Sequence, residues 1–467
     1  AEPELTGSGS ALKPQFHNMI RNLICTIALL AAALSSAAPD NTGNKRKRSF
    51  DNDNDFLTYV QKQYFNYIWE GALPNSGLSR VRMIQDDPQR DLHTITVGSS
   101  GFGIAGIIVG IERGFITRSE GVERLAKIAD FLARSDRFHG MWSHWIDDRT
   151  ARTIPFANPA SKDNGGDIVE SAFLAQGLIT ARQYLSDGTK KERELAGKFD
   201  ELWRGMEWSW YQKDGEDVVY WHWSPDYQWE KNFPLRGYNE CLAVYILGAS
   251  SPTHPITKEA YYKGWARDGA IVSDTTLYDI PVKVQHNTGR EYVGPIFWTA
   301  FSYVGFDPRG LKDELGIDYF DVNVAHARIQ QAHCIANPNG FDGYGADCWG
   351  FSAGYSVKGY KAHNTKNDRG VITPSGTLAA MPFAPDAVMK ALKHFYFDLG
   401  DELWGPYGFY DGYVAAEKRV IPNYLANNQC AVLPMIENYR TGLIWKLFMS
   451  APEIQAGLEK LGFTRDN

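Results

Sequence analysis

Three carboxylates stand at i, i+4 and i+7 in the run from Ser161 to Gly177: Asp163, Asp167 and Glu170. On a continuous helix that spacing puts them on one stripe. Like charges stacked this way repel, so a fold that keeps them has another use for them, such as moving protons or holding a polar substrate. Acids in a first helical turn also simply complement the helix dipole, which covers Asp163 and Asp167 but leaves Glu170 too deep. Asp163 and Asn164 precede Gly165 and Gly166 and are good N-cap types, and an apolar helical pattern follows.

A second dense stretch, Tyr220 to Cys241, holds Asp226, Glu230 and Glu240 among aromatics, with Arg236 nearby. Glu240 opens the apolar segment Leu242 to Ile246. A carboxyl against such surroundings has its pKa raised by desolvation, the property a general acid needs near neutral pH; a Glu there can also serve as a cap. Further aromatic and acidic loops contain Asp347 and Trp349, then Tyr355, then Trp404 to Asp411. Glu437 and Arg440, at i and i+3, read as an ion pair. The chain has 14 Trp, 24 Tyr and 24 Phe. Many Trp sit beside polar residues, as in Trp142-Ser143-His144-Trp145 and Trp221-His222-Trp223. Flat faces next to hydrogen-bonding groups suit sugar rings, although aromatics also fill large cores. Trp142, Trp145, Trp221, Trp223 and Trp349 are therefore candidate stacking platforms, with Arg236 and His222 as hydroxyl ligands. Asp226, Tyr355 and Glu437 complete the candidate substrate-binding set.

The elements that must position these groups read as helices. Helical spacing predicts them over Phe56–Trp69, the Gly-rich Val97–Ile111, Ser119–Ser135, the segment after Asp163, Lys191–Trp210, Tyr238–Gly248, Pro295–Tyr303, Asp318–Asn337, Ala384–Leu399 and Val432–Met449. Long alternating strand patterns and a βαβ rhythm are missing. A dozen helices joined by loops rich in Gly, Trp, Asp and Tyr suggest a closed toroid of paired helices, with loops at one end converging on a concave site.

Composition is globular, with 43% apolar residues and a net charge of −7, and no basic stripe stands out past Arg48, which argues against nucleic-acid binding. Residues 1–55 read as an extension, a signal peptide starting at Met19 with an apolar run Leu23–Leu34, and a polar linker that contains Lys45 to Arg48. A run that short does not anchor a chain in a bilayer, so secretion without membrane attachment is expected. Residues 56–467 then form one domain. Cys241, Cys334, Cys348 and Cys430 remain after Cys25 leaves, compatible with disulfides or with buried thiols. The scattered histidines form no triad pattern with a nucleophilic Ser, which weakens an esterase reading.

The runs Asp163–Glu170, Tyr220–Asp226, Arg236–Glu240, Ala249–Pro255, Cys348–Gly350 and Met435–Gly442 resemble, in order, the glucoamylase-like family of glycoside hydrolases that includes the bacterial β-1,2-glucanases of family 144. The likeness spans roughly Phe56 to Pro452. It implies an all-α (α/α)6 barrel that hydrolyses β-1,2-linked glucan with inversion and no metal. No other cofactor is expected, and the expected partner is an oligo- or polysaccharide substrate of a monomer. Carried over by position, the catalytic carboxylates are Asp163, Asp167, Glu170 and Glu240, with Glu240 the general acid and the base among the other three. One departure stands out: where relatives often read Asp-Gln-Gly-Pro, this chain has Asn428-Gln429-Cys430-Ala431. Endo action on β-1,2-glucan is the reading adopted. An exo enzyme releasing a disaccharide, or a non-catalytic glycan-binding relative, are its rivals, and a lyase is disfavoured by the net acidity.

Overall fold

The computed structural model describes residues 48–157 and 159–465, so the expected extension and signal segment lie outside the described residues. Ser49 to Asn467 forms one compact unit. Its first helix, α1 (Asp53–Trp69), begins slightly before the expected Phe56 because the Asn52 side chain accepts the Asp55 N–H as an N-cap.

Among the described residues, twelve of the helical segments alternate between two layers. The outer segments are α1, α3 (Arg118–Arg134), α5 (Lys190–Arg204), a π-helical stretch at Ala260–Trp265, α7 (Tyr319–Ala336) and α9 (Pro385–Lys393). The inner ones are α2 (Val97–Glu112), α4 (Ile168–Leu185), α6 (Leu242–Ser250), a pair of 3-10 turns over 296–303, α8 (Pro374–Ala379) and α10 (Ala426–Arg440). The inner segments touch in cyclic order: α2 meets α4, α4 meets α6, α6 meets the 3-10 pair, that pair meets α8, α8 meets α10, and α10 returns to α2. The inner helices α2 and α4 are buried on nearly every face, whereas α3 and α5 carry one apolar stripe and begin with capping boxes.

The Gly-rich segment is explained by this inner layer. A Cβ on Gly101 would stand 2.3 Å from the Phe173 carbonyl oxygen, and one on Gly177 2.3 Å from that of Gly101, so glycine alone lets α2 and α4 approach so closely. The expected helix Val432–Met449 is two helices, α10 and α11 (Leu443–Met449), because Gly442 turns the chain at φ 68°.

Short antiparallel strands gather the chemistry-bearing loops. Gly166 and Asp167 pair with Trp223 and His222, which joins the two dense stretches. Thr94–Thr96 pairs with Trp145–Asp147, which sets His144 and Trp145 beside the start of α2. The expected carboxylate stripe does not form. The helix starts at Ile168, Asp167 is its N-cap, and Asp163 lies in the preceding loop. Two glycines in a row favour leaving the helix, and both are needed where they are: a Cβ on Gly165 would meet the Trp223 carbonyl oxygen at 2.1 Å.

Candidate active site

A cavity of about 480 Å³ opens among the inner helices, within the range of small-molecule sites. Of the four predicted catalytic carboxyls, Glu170 and Glu240 line it. Glu240 precedes α6, whose N-cap is Cys241, and its own carbonyl accepts a hydrogen bond from the Ser302 hydroxyl. Burial pushes the Glu240 carboxyl up to about 7, helped by the charges of Glu170 and Asp167, while a bond from Trp298 pulls the other way. Glu170 sits in the first turn of α4. Its Oε2 accepts the Gly98 N–H at 2.8 Å, and burial raises its pKa although His144 opposes the rise.

A Cβ at position 98 would lie 2.7 Å from Glu170 Oε2 and 2.9 Å from Phe173 Cδ2. Gly98→Ala is therefore expected to displace this carboxyl and to lower kcat by about 10- to 100-fold with an unchanged far-UV spectrum, since misplacement near 1 Å carries a loss of that order.

The other two acids do not line the cavity. Asp167 is fully buried; its Oδ1 accepts the N–H groups of Val169 and Glu170, and its Oδ2 lies 2.8 Å from His144 Nδ1. Burial would raise its pKa, but the His144 bond and charge hold it below the ordinary value. Asp163, also buried, takes Lys231 Nζ at 2.6 Å and faces His222 Nε2 at 3.3 Å.

The predicted substrate ligands divide in the same way. Trp145 and Trp221 line the cavity. Trp142 and Trp349 are core residues with no exposed surface, the former donating its Nε1–H to the Leu132 carbonyl under the Arg137 guanidinium. Trp223 packs against the rings of His139 and Trp210 instead. His222 is buried, accepts the Gly165 N–H, and burial lowers its pKa. Asp226 accepts from Asn164, and Arg236 donates to the Lys263 carbonyl at the surface. Tyr355 does not line the cavity but its hydroxyl accepts from Arg82, which does.

Glu437 does not line the cavity and does not pair with Arg440. It forms a two-pronged pair with Arg113, 2.7 and 2.9 Å, and Arg440 reaches Gln61, Asn54 and Thr58. Burial would raise the Glu437 pKa, but Arg113, Thr441 and Gln61 hold it down. Arg113→Met should leave that carboxylate buried and short of its partner, costing about 3 kcal/mol in urea unfolding at pH 7 without changing KM. The sign follows from the lowered pKa: the contribution is full above the ordinary carboxylate range and is lost as pH falls through it, so the difference between the two proteins should shrink below about pH 4.

Several lining groups escape the sequence reading: Arg82, Arg90, Thr96, His144, Phe156, Phe297, Phe301, Tyr360 and Asn427. Asn428 is beside them but buried, donating to the Ala353 carbonyl and to Asp411 Oδ1 and accepting from Ser352. Burial lifts the Asp411 carboxyl to about 6, against the bonds from Tyr355 N–H and Asn428. Cys241, Cys334, Cys348 and Cys430 are buried free thiols.

The Glycoamylase family model matches residues 232–452. An endo-β-1,2-glucanase from Chitinophaga pinensis, solved with sophorotriose and glucose, is 48% identical over 88% of this chain and 99% of its own, with a TM-score of 0.85. The chain belongs to the glucoamylase-like glycoside hydrolases. Within that family, an exo-β-1,2-glucooligosaccharide sophorohydrolase acting at the non-reducing end, from Parabacteroides distasonis, is 44% identical over 88% of this chain. The chain spans 58% of that relative's length. An endo-β-1,2-glucanase from Talaromyces funiculosus, at 12% identity and a TM-score of 0.63 over 88% of this chain and 89% of its own, shares the fold.

Proposed function

We propose that this glycoside hydrolase cleaves β-1,2-linked glucan with inversion and endo action, Glu240 serving as general acid and Glu170 as general base. The observation that carries the assignment is that Glu170 and Glu240 are the two acidic side chains lining the cavity. Their family relatives act on β-1,2-glucan and its oligosaccharides by name. The alternating, cyclically touching helices fit an (α/α)6 barrel with the cavity among its inner segments.

In the reaction, Glu240 gives its proton to the glycosidic oxygen as the C1–O bond breaks. Water attacks C1 from the opposite face and passes a proton to Glu170, leaving an inverted hemiacetal and a free hydroxyl on the departing sugar. Inversion calls for carboxyls roughly 6.5–9.5 Å apart, so that water fits between base and C1. Trp145 and Trp221 offer faces for stacking, and Arg82 and Arg90 offer donors to hydroxyls. The Asn428 side chain bonds Ser352, Ala353 and Asp411 and neither Glu170 nor Glu240, which supports turnover over glycan binding alone.

One observation favours the exo reading. The hairpin Ala353–Ser356 and Gly359–Ala362 carries Tyr360 into the cavity wall, and a wall across a cleft admits only a chain end. Reducing-end release on β-1,2-, β-1,3- and β-1,4-glucans, followed by product sizing, decides the matter. Endo action yields mixed lengths from the first minutes; exo action yields a single disaccharide; binding without release on any polymer rejects hydrolysis.

A further inference from the structure

We propose that His144 is a positioning residue of this site: an imidazolium held between Asp167 and Glu170 that keeps Glu170 ionised for water activation while Glu240 retains its proton. The inference rests on the hydrolytic reading for its consequence, but its charge state is testable without turnover. His144 Nδ1 lies 2.8 Å from Asp167 Oδ2, and its Nε2 lies 3.7 Å from Glu170 Oε1. The ring is stacked on Phe156 at 3.8 Å between centroids, its side chain is 17% exposed, and it lines the cavity.

The hydrogen-bond inventory fixes one proton. An ionised Asp167 is acceptor-only and has already used Oδ1 on two backbone N–H groups, so Nδ1 of His144 must donate to Oδ2. A neutral ring would then turn the Nε2 lone pair toward the Glu170 carboxylate, and a charged ring turns an N–H toward it. Burial alone would lower the His144 pKa, but the charge of Glu170 and the bond to Asp167 outweigh it and push it up to about 9. The charge of Asp163 adds to this; Asp163 in turn is paired with Lys231 and faces His222, whose own pKa burial lowers. Glu240, Arg82 and Arg90 face the same cavity.

The charge count explains the function. With Asp167 and Glu170 ionised and His144 positive, the cluster carries one net negative charge, and Glu240 completes an acid–base pair. Without the cation, Asp167 and Glu170 face each other unscreened in a desolvated wall, Glu170 takes up a proton at higher pH, and the base is lost.

Nitrogen-15 NMR of the ring nitrogens tests this directly, with His144 assigned by the signal missing in His144→Asn, or in His144→Gln if asparagine does not fold. Both nitrogens should stay protonated through pH 8 in the wild type, and Glu170→Gln should lower the titration midpoint by about one unit or more. A ring that is neutral at pH 7, or a midpoint that Glu170→Gln does not move, overturns the proposal. In kinetics, His144→Asn should shift the acidic limb of kcat/KM upward by about one pH unit with little change in KM; an equal loss at every pH means a structural role and also overturns it. A wild type without turnover on any glucan refutes the hydrolytic reading, and the NMR titration still decides the state of His144.

Discussion

Glu240→Gln is expected to lower kcat on β-1,2-glucan by about 10²- to 10⁴-fold, the usual contribution of a positioned general acid. The glutamine keeps the volume and the polarity but has no proton of suitable acidity to give to the leaving oxygen. Three signatures separate this from damage to the fold. First, the wild-type rate should fall as pH rises through about 7, where Glu240 loses its proton, and the residual rate of the variant should lack that limb. Second, an aryl sophoroside, whose phenolate leaves without protonation, should recover to within about tenfold of wild type. Third, the variant should be more stable than wild type at pH 8. The folded-state pKa of Glu240 is raised, so its contribution is fully present below the ordinary carboxyl pKa and is lost as pH rises through about 7. Removing a carboxylate that must ionise in a desolvated wall should raise Tm by about 2 °C or more at pH 8 and change nothing near pH 4. A variant with unchanged kcat would move the acid to another residue.

Glu240 and Glu170 were legible in the sequence because their surroundings are local: each stands beside an apolar helical run that desolvates it. Asp163 misled for a physical reason. Its spacing from Asp167 is helical, but Gly165 and Gly166 break the helix, and pairing of Gly166–Asp167 with His222–Trp223 takes over. His144 was passed over although it sits in a run chosen for its tryptophans. Its partners lie 23 and more residues away in sequence, and the strand that delivers it is three residues long, too short to leave a period. Residue type also does not tell wall from core. Trp145 and Trp221 reached the cavity and Trp142 and Trp349 the interior, and only which inner helix each loop crosses separates them. Glu437 shows the same limit for charge, since Arg113 is 324 positions away from it and Arg440 only three. The helices themselves were legible almost throughout, because an amphipathic or wholly apolar run over several turns is a local signal.

The base assignment makes the second large prediction. Glu170→Ala should lower kcat by about 10²- to 10⁴-fold with KM nearly unchanged, because the lost interaction is with water rather than with sugar. Azide should then restore turnover. A small anion fits where the carboxylate stood, its nitrogen forms a bond to C1 as the glycosidic oxygen departs with the Glu240 proton, and the product is a glycosyl azide of inverted configuration. Asp167→Asn supplies the contrast. Asp167 accepts from Val169, Glu170 and His144 and caps α4, so its loss should unfold the start of that helix and lower Tm, and azide should rescue nothing. If azide restores the Asp167 variant instead, water is activated on the capping residue, and Glu170 is the group that binds sugar.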